Sequence, residues 1–98
     1  MITTEAHVAT PTPARYVTRL CKHFAHKVDT LQNGPHGQID FLDGTCTLDA
    51  RADDLVLRVE ADDAATVARL EDLVASHLIR FAEGRDALTV SWALVMPA

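Results

Sequence analysis

The spacing of apolar and polar residues changes several times along this chain, and each change marks an element. Thr3 to Thr10 alternate weakly, with Ala6 and Val8 set against Glu5, His7 and Ala9, which predicts a short strand. Pro11, Thr12 and Pro13 punctuate the pattern, Thr12 as the expected N-cap and Pro13 at the first helical position. From Ala14 to Val28 the period becomes helical. At about 100° per residue, Val17, Leu20, Cys21, Phe24 and Val28 share one arc, and Arg15, Arg19, Lys22 and His26 share the opposite one. His23 lies between them, in a stripe with Tyr16 and Lys27.

Val28 to Gln32 reads as another short strand and Asn33 to Gly37 as a loop. Ile39 and Phe41 then alternate with Gln38 and Asp40, Asp43-Gly44 reads as a two-residue hairpin turn, and Cys46, Leu48 and Ala50 alternate beyond it. Counting outward from that turn sets Phe41 against Cys46, Asp40 against Thr47 and Ile39 against Leu48. A second turn, Arg51 to Asp54, sets Ala50 against Leu55, Leu48 against Leu57 and Cys46 against Val59. Apolar meets apolar in both pairings, as a sheet with one buried face requires. Gln38, Asp40, Thr47, Asp49, Arg58 and Glu60 are left for the solvated face.

Asp62 and Asp63 suit a helix start, and the segment to Ala82 has helical period, with Val67, Leu70, Val74, Leu78 and Phe81 inward and Leu73 and His77 on one flank. Gly84 is the expected stop. Ala87 to Val95 alternates Leu88, Val90, Trp92 and Leu94 with smaller residues, predicting a last strand whose large side chains point inward. The fold class is therefore α+β: a two-layer sandwich with a mainly antiparallel sheet of five or six strands and two helices on one face. Its element order is β-α-(β)-β-β-β-α-β, with residues 1–98 as a single domain. Strand order outside the central meander stays open.

Composition narrows the function classes. With 98 residues, 48% of them hydrophobic, the chain suits one core and leaves no cofactor-sized lobe. A formal charge of −5 argues against nucleic acid and anionic lipid as nonspecific partners. No apolar run is long enough for a membrane span, and the start lacks a secretory-signal pattern, so a cytoplasmic location is expected. Cys21 and Cys46 both fall on inward faces and read as buried, reduced thiols.

The chain has no glycine-rich phosphate loop, no G-x-S-x-G elbow and no paired C-x-x-C motifs, so a binding role is favoured over an enzymatic one. The run Cys21 to His26 looks like a metal cluster, but on a helix Cys21 points about 160° from His23 and about 140° from His26. His23 and His26 remain weak metal candidates, with His77 as the third ligand if the helices lie side by side. The plainer expectation is three boundary histidines packed on apolar neighbours. Arg15, Arg19 and Lys22, on a helix without acids, form either a solvated face or a docking surface for an acidic protein or a small anionic ligand.

Three stretches give the chain a family likeness: AHVATPTPARYVTRLCKHFAHKV, GQIDFLDGTCTLDA and LEDLVASHLIRFAEGRDALTVSW. They resemble the bacterial domain of unknown function family 2218. The most specific parts are R-Y-x-x-x-L-C-K-H-F-x-H-K, seen as Arg15, Tyr16, Leu20 to Phe24, His26 and Lys27, and H-L-x-R-F-A, seen as His77, Leu78, Arg80, Phe81 and Ala82. Trp92 also fits. The resemblance implies the α+β shape, no assigned activity or cofactor, and an association with siderophore-interacting flavin reductases, hence with iron handling. Its motif blocks coincide with the candidate ligand-binding residues His23, His26, Lys27, His77 and Arg80. Besides the binding role, two further readings stand: a histidine-dependent metal or haem site with redox or hydrolytic activity, and a self-associating module, a homodimer formed through an edge strand or the open sheet face.

Overall fold

A computed structural model describes residues 1–96. Eight elements follow in order: β1 (Ile2–Ala9), α1 (Pro13–Phe24), β2 (Asp29–Asn33), β3 (His36–Asp40), β4 (Gly44–Ala50), β5 (Asp54–Ala61), α2 (Ala64–Ala82) and β6 (Ala93–Leu94). The six strands form one antiparallel sheet in the order β2-β3-β4-β5-β1-β6. The α+β class and the two-helix layer match the expectation from periodicity.

The order missing from the sequence pattern is now explicit: β1 pairs along its whole length with β5, from Ile2 opposite Ala61 to Ala9 opposite Asp54. Ala6 and Val8 thereby join Leu55, Leu57 and Val59 on the buried face, and the inward sides of both helices close over them in a single core. The helix α1 lies over β2, β3 and β4, while α2 covers β5 and β1 and also touches α1. The other face of the sheet is polar, with Arg58 donating to Glu5 at 2.7 Å and His36 beside Asp49 at 2.7 Å.

The β4–β5 register is as counted, with Ala50 opposite Leu55, Leu48 opposite Leu57 and Cys46 opposite Val59. The β3–β4 register is not: Ile39 pairs with Cys46 and Asp40 with Thr45, two positions away from the counted pairing. Side-chain parity survives the shift, so the core is unchanged. The loop is Leu42-Asp43, closed by the Phe41 N–H donating to the Gly44 carbonyl at 2.8 Å, with Leu42 exposed at φ +71°. Phe41, the last residue before the loop, keeps this backbone bond and packs its ring edge-on against Phe24, with ring centroids 5.2 Å apart.

Two further expectations are adjusted. The chain turns tightly at Gly34-Pro35, Asn33 pairing with His36, so the expected loop there is a second hairpin. Thr12 occupies the N-cap position of α1, but its hydroxyl caps nothing, because with φ −131° and ψ 57° its backbone departs from the usual extended cap. By contrast Asp63 caps α2, accepting from the Thr66 N–H at 2.7 Å.

The last strand is the largest departure. Only Ala93 and Leu94 pair with β1, opposite Glu5 and Thr4, and Leu94 is exposed. Leu88, Val90 and Trp92 rest half-buried on the core without strand pairing. The segment is tied at its start, where the hydroxyl of Tyr16, fully buried in α1, donates to Asp86 at 2.5 Å. Residues 87–92 then cross from that tie to the edge of β1. Tyr16→Phe should lower stability by about 1.5 kcal/mol, the worth of a hydrogen bond to a charged acceptor, read as a lower urea midpoint with an unchanged slope. Asp86→Asn, which keeps an acceptor, should cost less; equal losses would show that the tether depends on the carboxylate's charge.

Candidate functional site

The site grows from two helix flanks. On α1, Tyr16, Val17, Leu20, Cys21 and Phe24 are buried and Arg15, Arg19, Lys22 and His23 are exposed. Gly37 lets α1 lie close to the sheet, since a Cβ there would come within 2.8 Å of the Cys21 sulfur. Both cysteines are buried and free. Burial pushes the Cys46 thiol up to about 12, so neither geometry nor ionisation suits it to nucleophilic work.

On α2, Leu73, His77 and Phe81 recur every four residues along the flank beside α1. There His23 and His77 meet, with ring centroids 4.6 Å apart and planes inclined at 44°. Phe24 lies 5.1 Å from each of them, and Phe81 packs edge-on to His23 at 5.5 Å. The Arg19 guanidinium stands over Phe81, 4.9 Å from its centroid. The result is a continuous run of rings between the helices, from Phe41 through Phe24, His77 and His23 to Phe81.

Nδ1 of His77 lies 2.7 Å from the Leu73 carbonyl, so Nδ1 carries the proton that is donated there, and Nε2 is the acceptor in the neutral ring. His23 is held below the ordinary imidazole value, first by desolvation and then by the positive charge of His77, Lys27, His26 and Arg80. Among the described residues the ion-paired arginines are Arg51, Arg58 and Arg69, all away from this groove. Among the same described residues Arg19, Lys22, Lys27 and Arg80 form no ion pair.

His23 separates two depressions. One, of about 270 Å³, is basic and is bounded by Arg19, Lys22, His26 and Phe81. The other, of about 210 Å³, is apolar within and lies among Phe24, Val28, Phe41, Leu73 and His77, with Lys27 at its rim. A third, acidic depression at the Leu42 loop, bounded by Asp40, Asp43, Glu60 and Asp62, has the opposite sign, and its Asp43 is already paired with Arg69.

The sequence candidates therefore separate. His23, His77 and Lys27 come together at the apolar groove, and Arg80 acts on His23 through its charge. His26 does not join His77: α1 ends at Phe24, and His26, in the following turn, lies on the basic side with Arg19 and Lys22. The three-histidine metal arrangement is thus not formed, and among the described residues no three His, Cys, Asp or Glu are gathered as metal ligands. Arg15 sits a turn and more away, its charge felt at Tyr16 rather than at His23. The sequence reading missed Phe41 and Leu73 as groove walls. Two adjacent apolar residues, Phe41 and Leu42, were the available signal, since strict alternation could keep only one of them inward.

The arrangement defines a two-layer α+β domain with a cationic, aromatic-lined groove between its helices. The chain belongs to the family described as an uncharacterized protein conserved in bacteria (DUF2218), which matches residues 5–93. It is similar to PA4090 from Pseudomonas aeruginosa, a structure determined by NMR, with 36% identity, 95% of this chain and 96% of that chain covered, and a TM-score of 0.81. No curated protein matches it. No helix among the described residues is long and apolar enough to cross a membrane.

Proposed function

We propose that this protein is a small binding domain whose working surface is the groove between α1 and α2 with its basic margin, and that it takes a small anionic ligand. One observation carries the reading: Arg19, Lys22 and His26 line one depression beside His23 and Lys27 lines the other, and among the described residues Arg19, Lys22, Lys27 and Arg80 form no ion pair with a carboxylate. Unneutralised cations at one place on an acidic chain are a recognition feature for an anion. A cytoplasmic setting suits the two buried free thiols. The iron-handling association implied by the family resemblance enters as a source of such an anion, since two histidines without an acid do not by themselves select iron.

The test is a titration with inorganic phosphate followed by NMR. We expect the His23 ring and the amides of Arg19 and Lys22 to shift, with affinity at least tenfold weaker in Arg19→Glu. Binding of inorganic sulfate, whose charge is constant in this range, should strengthen as pH falls below about 6.5, the ordinary imidazole value, because protonated His23 attracts the anion. No shift, or equal binding by Arg19→Glu, would overturn the reading. Elemental analysis and absorption spectra of untagged protein with added zinc, iron or haem address the alternative. Stoichiometric uptake lost in both His23→Ala and His77→Ala would replace the anion by a metal or haem. A dimeric mass in solution would instead favour self-association, with the exposed β2 edge carrying Leu31 as its natural seam.

A further inference from the structure

We infer that the ligand of this groove is an aromatic carboxylate of one or two rings, its ring held against Phe24, Phe41 and Leu73 and its carboxylate at Lys27. This rests on the anion reading above and adds the body of the ligand to its charge. The depression on the Phe24 side of His23 differs from the basic one beyond it: its interior is apolar, and its cation stands at the rim. A bare inorganic anion would use the rim and leave the interior wet.

The size and the walls select the body. About 210 Å³ is the share of about seven water molecules, room for one or two rings and below the range of pockets that hold drug-sized ligands. Phe24 meets Phe41 edge-on at 81° and His77 at a tilt of 57°; Phe24 itself is buried, so the ring surface left open belongs to Phe41 and His77. Phe41, Leu73, Val28 and His77 remain half-buried, an apolar surface that the chain itself does not close. An aliphatic tail would gain only buried area there, whereas a flat ring also gains offset and edge-on contacts with these faces. The charge is placed at Lys27 because His77 already donates Nδ1–H to the Leu73 carbonyl and in its neutral form offers only an acceptor.

The experiment compares three probes on the full chain by NMR: 2-naphthoate, decanoate and inorganic phosphate. The expected result is that 2-naphthoate binds at least tenfold more tightly than either of the others and moves the ring signals of Phe24, Phe41 and His77. Leu73→Trp, which fills the groove, should weaken 2-naphthoate at least tenfold and leave phosphate unchanged. Lys27→Glu, at an exposed position where folding is safe, should weaken 2-naphthoate by a similar factor and serves alone if Leu73→Trp does not fold. Phosphate binding as tightly as 2-naphthoate would overturn this inference while leaving the anion reading intact. Decanoate binding as tightly as 2-naphthoate would overturn the aromatic assignment in favour of an aliphatic acid. Absence of binding by all three would overturn both.

Discussion

Phe24→Ala should cost about 3 to 4 kcal/mol of stability and lower the melting temperature by about 15 °C. Phe24 is the buried end of α1, 5% exposed, and its ring touches Phe41, His23 and His77 at 5.1 to 5.2 Å between centroids. Its removal leaves a cavity where the loop after β3 and both helices converge, and no neighbouring backbone is free to collapse into it. The same variant should report on the site. His23 owes its lowered value first to desolvation, so losing the adjacent ring should raise it toward about 6.5 in an NMR pH titration.

Stability should follow with a definite sign. With the folded value below the unfolded one, the unfolded chain binds more protons between the two, and stability falls as pH drops from about 6.5 through the lowered value. That limb should flatten in Phe24→Ala. It is separate from the more acidic limb of Glu5, whose carboxyl is held below the usual range by hydrogen bonds from Arg58 and His7, so that its stabilisation is lost only as pH falls below about 4.5. A loss under about 1 kcal/mol in Phe24→Ala would mean that the rings do not hold the helices together.

Gly44→Ala is the second large effect, about 2 to 3 kcal/mol, the usual cost of forcing an extra carbon into a packed core. Its Cβ would stand 2.6 Å from a Leu70 methyl and 2.7 Å from the Glu60 carbonyl oxygen. Leu70 is fully buried and the carbonyl belongs to the β5 backbone, so neither can step aside cheaply. A glycine needed only for a turn would have predicted much less, and Gly44 does not have a left-handed backbone. A lower denaturant midpoint with an unchanged slope would confirm the close approach; an unchanged midpoint would show that α2 can move off the sheet.

These two residues show where local reading reaches its limit. Asp43-Gly44 resembles a hairpin turn by composition, yet the glycine is there for α2, a helix twenty residues further on, and the loop lies one residue earlier. Phe41 fits the strand alternation, but its partner there, a ring on α1, is not visible in the local pattern. At the site, helical geometry alone separated Cys21 from the histidines and made His23 and His77 neighbours once the helices lay side by side. That depended only on residues four apart along one stripe. The failure of His26 to join them followed from the end of α1 at Phe24, which no local signal marked.

The sequence by itself determined the types of the long elements, their buried faces except at Phe81, which lies half-buried on the flank of α2 with Ala82 buried instead, the register of β4 against β5 and the basic character of α1. Each of these depends on period and charge, properties that neighbouring residues carry together. The tertiary structure alone decided that β1 lies between β5 and β6, that the last strand shrinks to two residues, and that an apolar groove opens beside the paired histidines. Those outcomes depend on contacts between residues far apart in the chain, such as Tyr16 with Asp86 and Phe24 with Phe41. Their energies come from burial and pairing that exist only once the layers have met.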